Sequence, residues 1–189
     1  MPKIADIQET PNPNAVKFIL KEPVSYGTSH SFKNEESALD NQLAKSIFDV
    51  GNVVSVFYMD KMVTVEKTDD AEWDEILPDL AVPIRAAEAV KTTNGNGKSA
   101  AESVGGAIAA AASDDPKLRE IEAILDERIR PYLAGDGGWL EVVELAGNTL
   151  KIRYEGACGS CPSSLTGTLM AIENMIKEEI DPEIDVIAV

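Results

Sequence analysis

Soft metal ligands and ready nucleophiles are scarce in this sequence: two cysteines, Cys158 and Cys161, and one histidine, His30. No Ser/His/Asp set, phosphate-binding loop or framed carboxylate pair is present, so common acid–base and phosphoryl-transfer catalysis lack a basis. Basic residues are also few, 17 against 33 acidic, for a net charge of -16. That excludes a general nucleic-acid binder, which must neutralise phosphates, and docking on an anionic membrane. No apolar run approaches the ~20 residues needed to span a bilayer. The first residues, Met1 to Asp6, have neither the apolar core of a secretory signal nor the Arg-rich look of a transit peptide. The expectation is a cytoplasmic protein, or a mature form.

Larger aliphatics are scarce in residues 91–113, with only Val104 and Ile108, while Gly and Ala supply nearly half the positions. Such a stretch buries too little to offset its ordering entropy. It reads as a flexible Gly/Ala/Asn-rich linker between two small domains, 1–90 and 114–189. In the first, Ile4–Thr10 and Ala15–Lys21 flank a Pro-Asn-Pro-Asn turn. Leu39, Leu43, Ile47 and Phe48 then share a helical face that Gly51 ends. Val53–Met59 and Met62–Lys67 form a hairpin, and Asp70 caps a helix carrying Trp73, Ile76, Leu77 and Leu80, made irregular by Pro78 and Pro83. The order is ββαββα. In the second, Asp115 caps a helix with Pro116 at its first position, and Pro131 and the glycines at 135–138 end it. Strands Leu140–Leu145 and Thr149–Glu155, a helix with Leu165, Leu169, Ile172, Ile176 and Ile180 on one face, and a strand Ile184–Val189 complete αββαβ. The fold class is α+β.

Cys158 and Cys161 are spaced C-x-x-C between a strand and a helix. The spacing lets two sulfurs converge on one ion or cluster, and the helix start favours thiolate over thiol. A tetrahedral thiolate site wants four ligands. One chain offers two, and His30 lies across the linker, so a complete site requires a second copy. The residues leave several readings open: a zinc ion or iron–sulfur cluster shared between subunits, a dithiol redox pair with one attacking and one resolving cysteine, or two reduced, buried cysteines without a ligand. A lasting disulfide does not suit a reducing cytosol.

Asp136-Gly137-Gly138, a hairpin, then Gly156-Ala157-Cys158-Gly159-Ser160-Cys161-Pro162 and a helix resemble the C-terminal domain of the NifU-like (Nfu) iron–sulfur scaffold proteins. Thr10-Pro11-Asn12-Pro13-Asn14-Ala15-Val16-Lys17-Phe18 is similar to the N-terminal domain found in many of them. The resemblance implies a carrier rather than an enzyme. Cys158 and Cys161 would ligate a [4Fe–4S] cluster bridged between two subunits, received from an upstream assembly scaffold and passed to apo iron–sulfur proteins. It lowers the standing of the dithiol–disulfide oxidoreductase reading, which remains the alternative, and of a structural zinc dimer.

The remaining candidates have plainer readings. Asp136-Gly137-Gly138 stops a helix and makes a turn, with a supporting place near the cysteine loop implied by the resemblance. His30 reads as a loop histidine, Trp73 and Trp139 as packing anchors, and Ser163 and Ser164 as helix caps.

Overall fold

The computed structural model describes residues 2–88, 115–159 and 162–189, with side chains in the last stretch from residue 166 onward. Residues 91–113, expected as linker, and Cys161 lie outside the described residues. The fold is α+β, in two compact units, each with its own sheet and core.

In the first unit β1 (Ile4–Glu9), β2 (Ala15–Leu20), β3 (His30–Phe32), β4 (Val53–Met59) and β5 (Met62–Lys67) form an antiparallel sheet in the order β1-β2-β5-β4-β3. Helices α1 (Gln42–Phe48) and α2 (Trp73–Ala86) cover one face. Alternation along β2 sends Val16, Phe18 and Leu20 into that core, where Phe18 is fully buried beside Val63, Val65, Leu80 and Ile84. Three expectations change. His30 sits in an edge strand, too short to produce a period in the sequence. Helix α1 starts after Asn41, whose side chain accepts from the Ala44 N–H, while Leu39 belongs to the preceding single turn and is 59% exposed. Asp70 does not cap α2; Glu72 precedes its first turn and makes no side-chain cap.

In the second unit Asp115 caps α3 (Pro116–Ile124) as expected, accepting from the Lys117 N–H at 2.9 Å with Pro116 in the first turn. Pro131 does not end this helical stretch. A π-turn, Leu125–Ile129, intervenes, in which the Arg130 N–H reaches back five residues to the Leu125 carbonyl. The wider turn relieves the clash a proline ring makes with the carbonyl four residues earlier. The stretch continues as α4 (Arg130–Gly135). Strands β6 (Gly138–Ala146) and β7 (Thr149–Gly156) pair as an antiparallel hairpin around Gly147-Asn148. Helix α5 (Pro162–Glu179) then crosses back so that β8 (Asp185–Ala188) lies parallel to β7. Ile172 and Ile176 of α5 are fully buried against Ile121, Leu125, Leu140, Leu150 and Ile152. This layer of helices on one small sheet places the end of β7, and the loop after it, at the margin of the core.

Candidate functional site: the cysteine loop

Cys158 follows β7 by two residues and is 2% exposed, packed in the core of the second unit. Gly156 has φ +66, a left-handed conformation that turns the chain out of the strand. The Gly159 N–H then donates to the Gly156 carbonyl at 3.0 Å, closing a tight turn around Cys158. A side chain on Gly159 would stand 3.2 Å from the Tyr154 carbonyl oxygen.

The segment Asp136-Gly137-Gly138 does two jobs. It stops α4, since the Asp136 N–H donates to the Tyr132 and Leu133 carbonyls and Gly137 takes φ +79. It also holds the cysteine loop. The Gly137 carbonyl accepts from the Ala157 N–H at 3.2 Å, and Gly138 is paired with Gly156 across the hairpin. A Cβ on Gly138 would lie 2.5 Å from the Cys158 Sγ and 2.9 Å from both its Cβ and the Glu155 carbonyl oxygen. The missing side chain is the space the sulfur occupies.

The start of β6 is anchored in turn by Arg130, only 9% exposed. Its Nε donates to the Leu140 carbonyl at 3.0 Å, and its guanidinium pairs with Glu122 at 2.7 Å and with Asp126 at 2.5 Å while standing 5.4 Å from the centre of the Trp139 ring. Trp139 is therefore a packing anchor, as expected. Trp73 plays the same part in the first unit: its indole N–H donates to the Pro13 carbonyl at 3.0 Å, and the Lys67 ammonium lies 5.5 Å from its ring centre.

Tyr154, two residues before the loop on β7's inner face, is 5% exposed, and its hydroxyl has no hydrogen-bond partner among the described residues. Burial holds its pKa well above the ordinary tyrosine value, and negative charge at Cys158 pushes it further. Neither Arg130 nor Tyr154 stands out in the sequence. An aromatic where Leu150 and Ile152 set an aliphatic face is the one signal Tyr154 leaves.

His30 lies in the other unit. It stacks on Tyr58 with ring centres 4.6 Å apart, and burial lowers its pKa, as befits a neutral packed imidazole. The expected caps Ser163 and Ser164 lie outside the described side chains. Among the described residues no three His, Cys, Asp or Glu side chains gather to hold a metal ion. What the described site supplies is a buried sulfur in a glycine-shaped cradle, a few residues before a helix.

Comparison with known proteins covers both units. Residues 121–187 match the family described as NifU-like domain, and residues 4–89 match the one described as scaffold protein Nfu/NifU N terminal. The Arabidopsis thaliana protein named "NifU-like protein 4, mitochondrial" is 36% identical over 171 residues, covering 89% of this chain and 60% of that protein. The Drosophila sechellia protein named "NFU1 iron-sulfur cluster scaffold homolog, mitochondrial" is 31% identical over 181 residues, covering 94% of this chain and 62% of the relative. The chain thus spans about 60% of the length of these curated relatives. A solved structure of the NifU-like protein from Saccharomyces cerevisiae is 30% identical and covers 43% of this chain and 74% of its own, with a TM-score of 0.39, too low to bear on the fold. One expectation is overturned. These relatives are named as mitochondrial, against the cytoplasmic location read from charge and first residues. An organelle address is read from a leader, not from folded domains, so the composition of the domains does not report it.

Proposed function

The chain belongs to the NifU-like family of iron–sulfur cluster scaffold proteins, and on that premise we propose that Cys158 and Cys161 carry a [4Fe–4S] cluster as cargo between two copies and pass it to apo-proteins. The supporting observation is the cradle. The loop bearing Cys158 is strapped to Gly137, and Gly138 is left without a side chain where the sulfur rests. Two copies supply four thiolates, the number a cubane cluster takes.

The work is ligand exchange, not catalysis. An acceptor thiolate bonds iron as the bond from iron to a carrier sulfur breaks. The proton given up by the acceptor thiol goes to the departing cysteine. Iron keeps four ligands throughout and no electron changes hands. The first unit contains no cysteine; it serves to recognise donor or acceptor proteins while the second delivers.

Anaerobic reconstitution with ferrous iron and sulfide tests the reading. A brown product with four irons and four sulfides per two chains, of twice the apo mass on sizing, is the expected result. A colourless protein that reduces disulfides would overturn it in favour of the dithiol oxidoreductase. The role of the first unit is checked by comparing transfer rates from the full chain and from residues 114–189 to a panel of apo-enzymes. Equal rates to every acceptor would reject recognition by the first unit.

A further inference from the structure

Between α5 and the stretch that runs from the π-turn through α4, the second unit leaves a groove of about 540 Å³. Ile129 and Leu133, both members of the core, line one side, and Ala171 and Met175 line the other. Gly167, also on its wall, has open space where a Cβ would stand, so α5 does not fill the groove there. Tyr132 borders it with 76% of its surface exposed, and on the same stretch of α5 Met170 is 60% exposed. An aromatic held out in water beside an apolar groove is the kind of side chain that anchors protein contacts, because its ring buries a large area once covered.

The groove carries charge of both signs. Glu127 and Asp136 are exposed on it, and Arg128, which pairs with Glu179, keeps about half of its side chain in solvent. This matters in a chain of net charge -16. Two copies repel over most of any approach, so a contact between them forms where a cation is at hand to meet carboxylates. A two-fold contact sets the same patch on both sides, and Arg128 of each copy then meets carboxylates of the other. The groove also borders the cysteine loop. Asp136 directly precedes Gly137, whose carbonyl holds the Ala157 N–H. Gly167 lies about 8 Å along α5 from Pro162, the residue after Cys161, at the rise of an α-helix.

We infer that this groove is the contact surface between two copies of the chain, each seating its Tyr132 in the groove of the other, and that the contact turns the two cysteine loops toward one shared cluster. The inference rests on the carrier reading above and adds to it the surface that brings four thiolates together. The groove is smaller than the ~20–30 residues a side of a stable interface. The contact alone is therefore weak, and cargo bonded to both copies completes the pair. Loss of the cargo lets the copies part.

The test is sedimentation equilibrium of the full chain, metal-free and after reconstitution with ferrous iron and sulfide. Two variants attack the groove from opposite sides: Ala171→Glu places a charge on its wall, and Tyr132→Ala removes the anchor. Each should weaken dimerisation of the loaded chain about tenfold or more and speed iron loss to a chelator. Tyr132→Phe, which keeps the ring, should behave as the wild type. Metal-free melting temperatures check the fold, and should Ala171→Glu unfold the chain, Tyr132→Ala decides. Loaded variants that dimerise as tightly as the wild type overturn the inference and leave the carrier reading intact. Variants that do so yet deliver iron more slowly to apo-proteins overturn it in favour of an acceptor seated in the groove. A wild-type chain that takes up no cluster removes the carrier reading. The groove is then judged on the metal-free chain at millimolar concentration, where self-association that is absent, or untouched by both variants, overturns the inference.

Discussion

The two units use glycine in different ways. In the first, Gly27 and Gly51 have left-handed backbones and nothing within 4 Å of where a Cβ would stand, so they only let the chain turn. In the second, Gly138 and Gly159 leave out a side chain because something else is there: the Cys158 sulfur in one case and the Tyr154 carbonyl in the other. The polar groups differ as well. The first unit ties its opening turn down with bonds from Trp73 to Pro13 and from Lys67 to Asn14 at 3.2 Å, and caps α1 through Asn41, which also bonds the Tyr58 hydroxyl at 2.6 Å. Among the described residues one buried hydroxyl there, on Thr64, lacks a partner; in the second unit the unpartnered hydroxyl of Tyr154 lies in the same core as Cys158. On the proposed division of labour, a unit that recognises needs only to keep its shape, while one that holds cargo must shape its backbone around a sulfur.

The sharpest way to break this contrast is to remove a sulfur. Cys158→Ala and Cys161→Ala should each abolish cluster uptake, measured as iron per chain after reconstitution, because no third thiol exists to substitute. Either single variant retaining full iron would sink the assignment of the site.

A core truncation in the first unit should do the reverse. Phe18 is fully buried, and Phe18→Ala should cost about 3–5 kcal/mol of that unit's stability through lost burial and a cavity. Amide exchange should show the loss confined to residues of the first unit, with iron uptake by the second unchanged. A fall in iron uptake would show that the units are not separable in the way their cores suggest.

Glycine substitution gives a smaller effect with a built-in control. Gly138→Ala drives a methyl into the Cys158 sulfur and the Glu155 carbonyl, an overpacking change that should cost roughly 1–3 kcal/mol and lower iron uptake. Gly135→Ala, with open space around it and an ordinary backbone, should leave uptake unchanged and hold or slightly raise the melting temperature. Equal behaviour of the two variants in denaturant titration would remove the argument for a cradle.

The smallest expected effect separates the units by pH. Burial lowers the His30 pKa below 6.5. As pH falls through that value the unfolded chain takes up the proton before the folded one does, so the first unit loses stability on acidification until its folded pKa is passed. The second unit has no histidine and should hold level across the same window. Amide exchange corrected for intrinsic rates, from neutral pH to just below this value, reads both units at once. His30→Phe should flatten the response of the first, and a slope that survives the substitution would assign it to other groups.

Much of the architecture was legible because its signals are local. Alternation in β2 and β7 and the face of Ile172 and Ile176 on α5 follow from the period of a strand or a helix, and the aspartate and proline that open α3 from local capping chemistry. Where the reading slipped, a neighbour outside the local window decided. Strand β3 has three residues and exists because β4 offers an open edge. Leu39 has the spacing of α1 but not its helix, since Asn41 supplies the better start. Pro131 looked like a terminator, and the π-turn before it absorbs the clash. The spacing of the cysteine pair made it legible as a candidate site and left metal or cluster, redox and ligand-free readings open, while the choice among them came from kinship.

Charge, the stock of two thiols and their placement between a strand and a helix were thus set by the sequence itself, because each depends on residue identity or on spacing within a few positions. That the Cys158 sulfur is buried, that it rests where Gly138 has no side chain, that Arg130 pins the strand beside it and that the Tyr154 hydroxyl shares an otherwise aliphatic core with it were decided only by the tertiary structure. The physical reason is that burial and an unmet hydrogen bond are properties of what surrounds an atom. Here the surroundings come from the β6–β7 register and the packing of α3, α4 and α5, which join residues the chain keeps far apart.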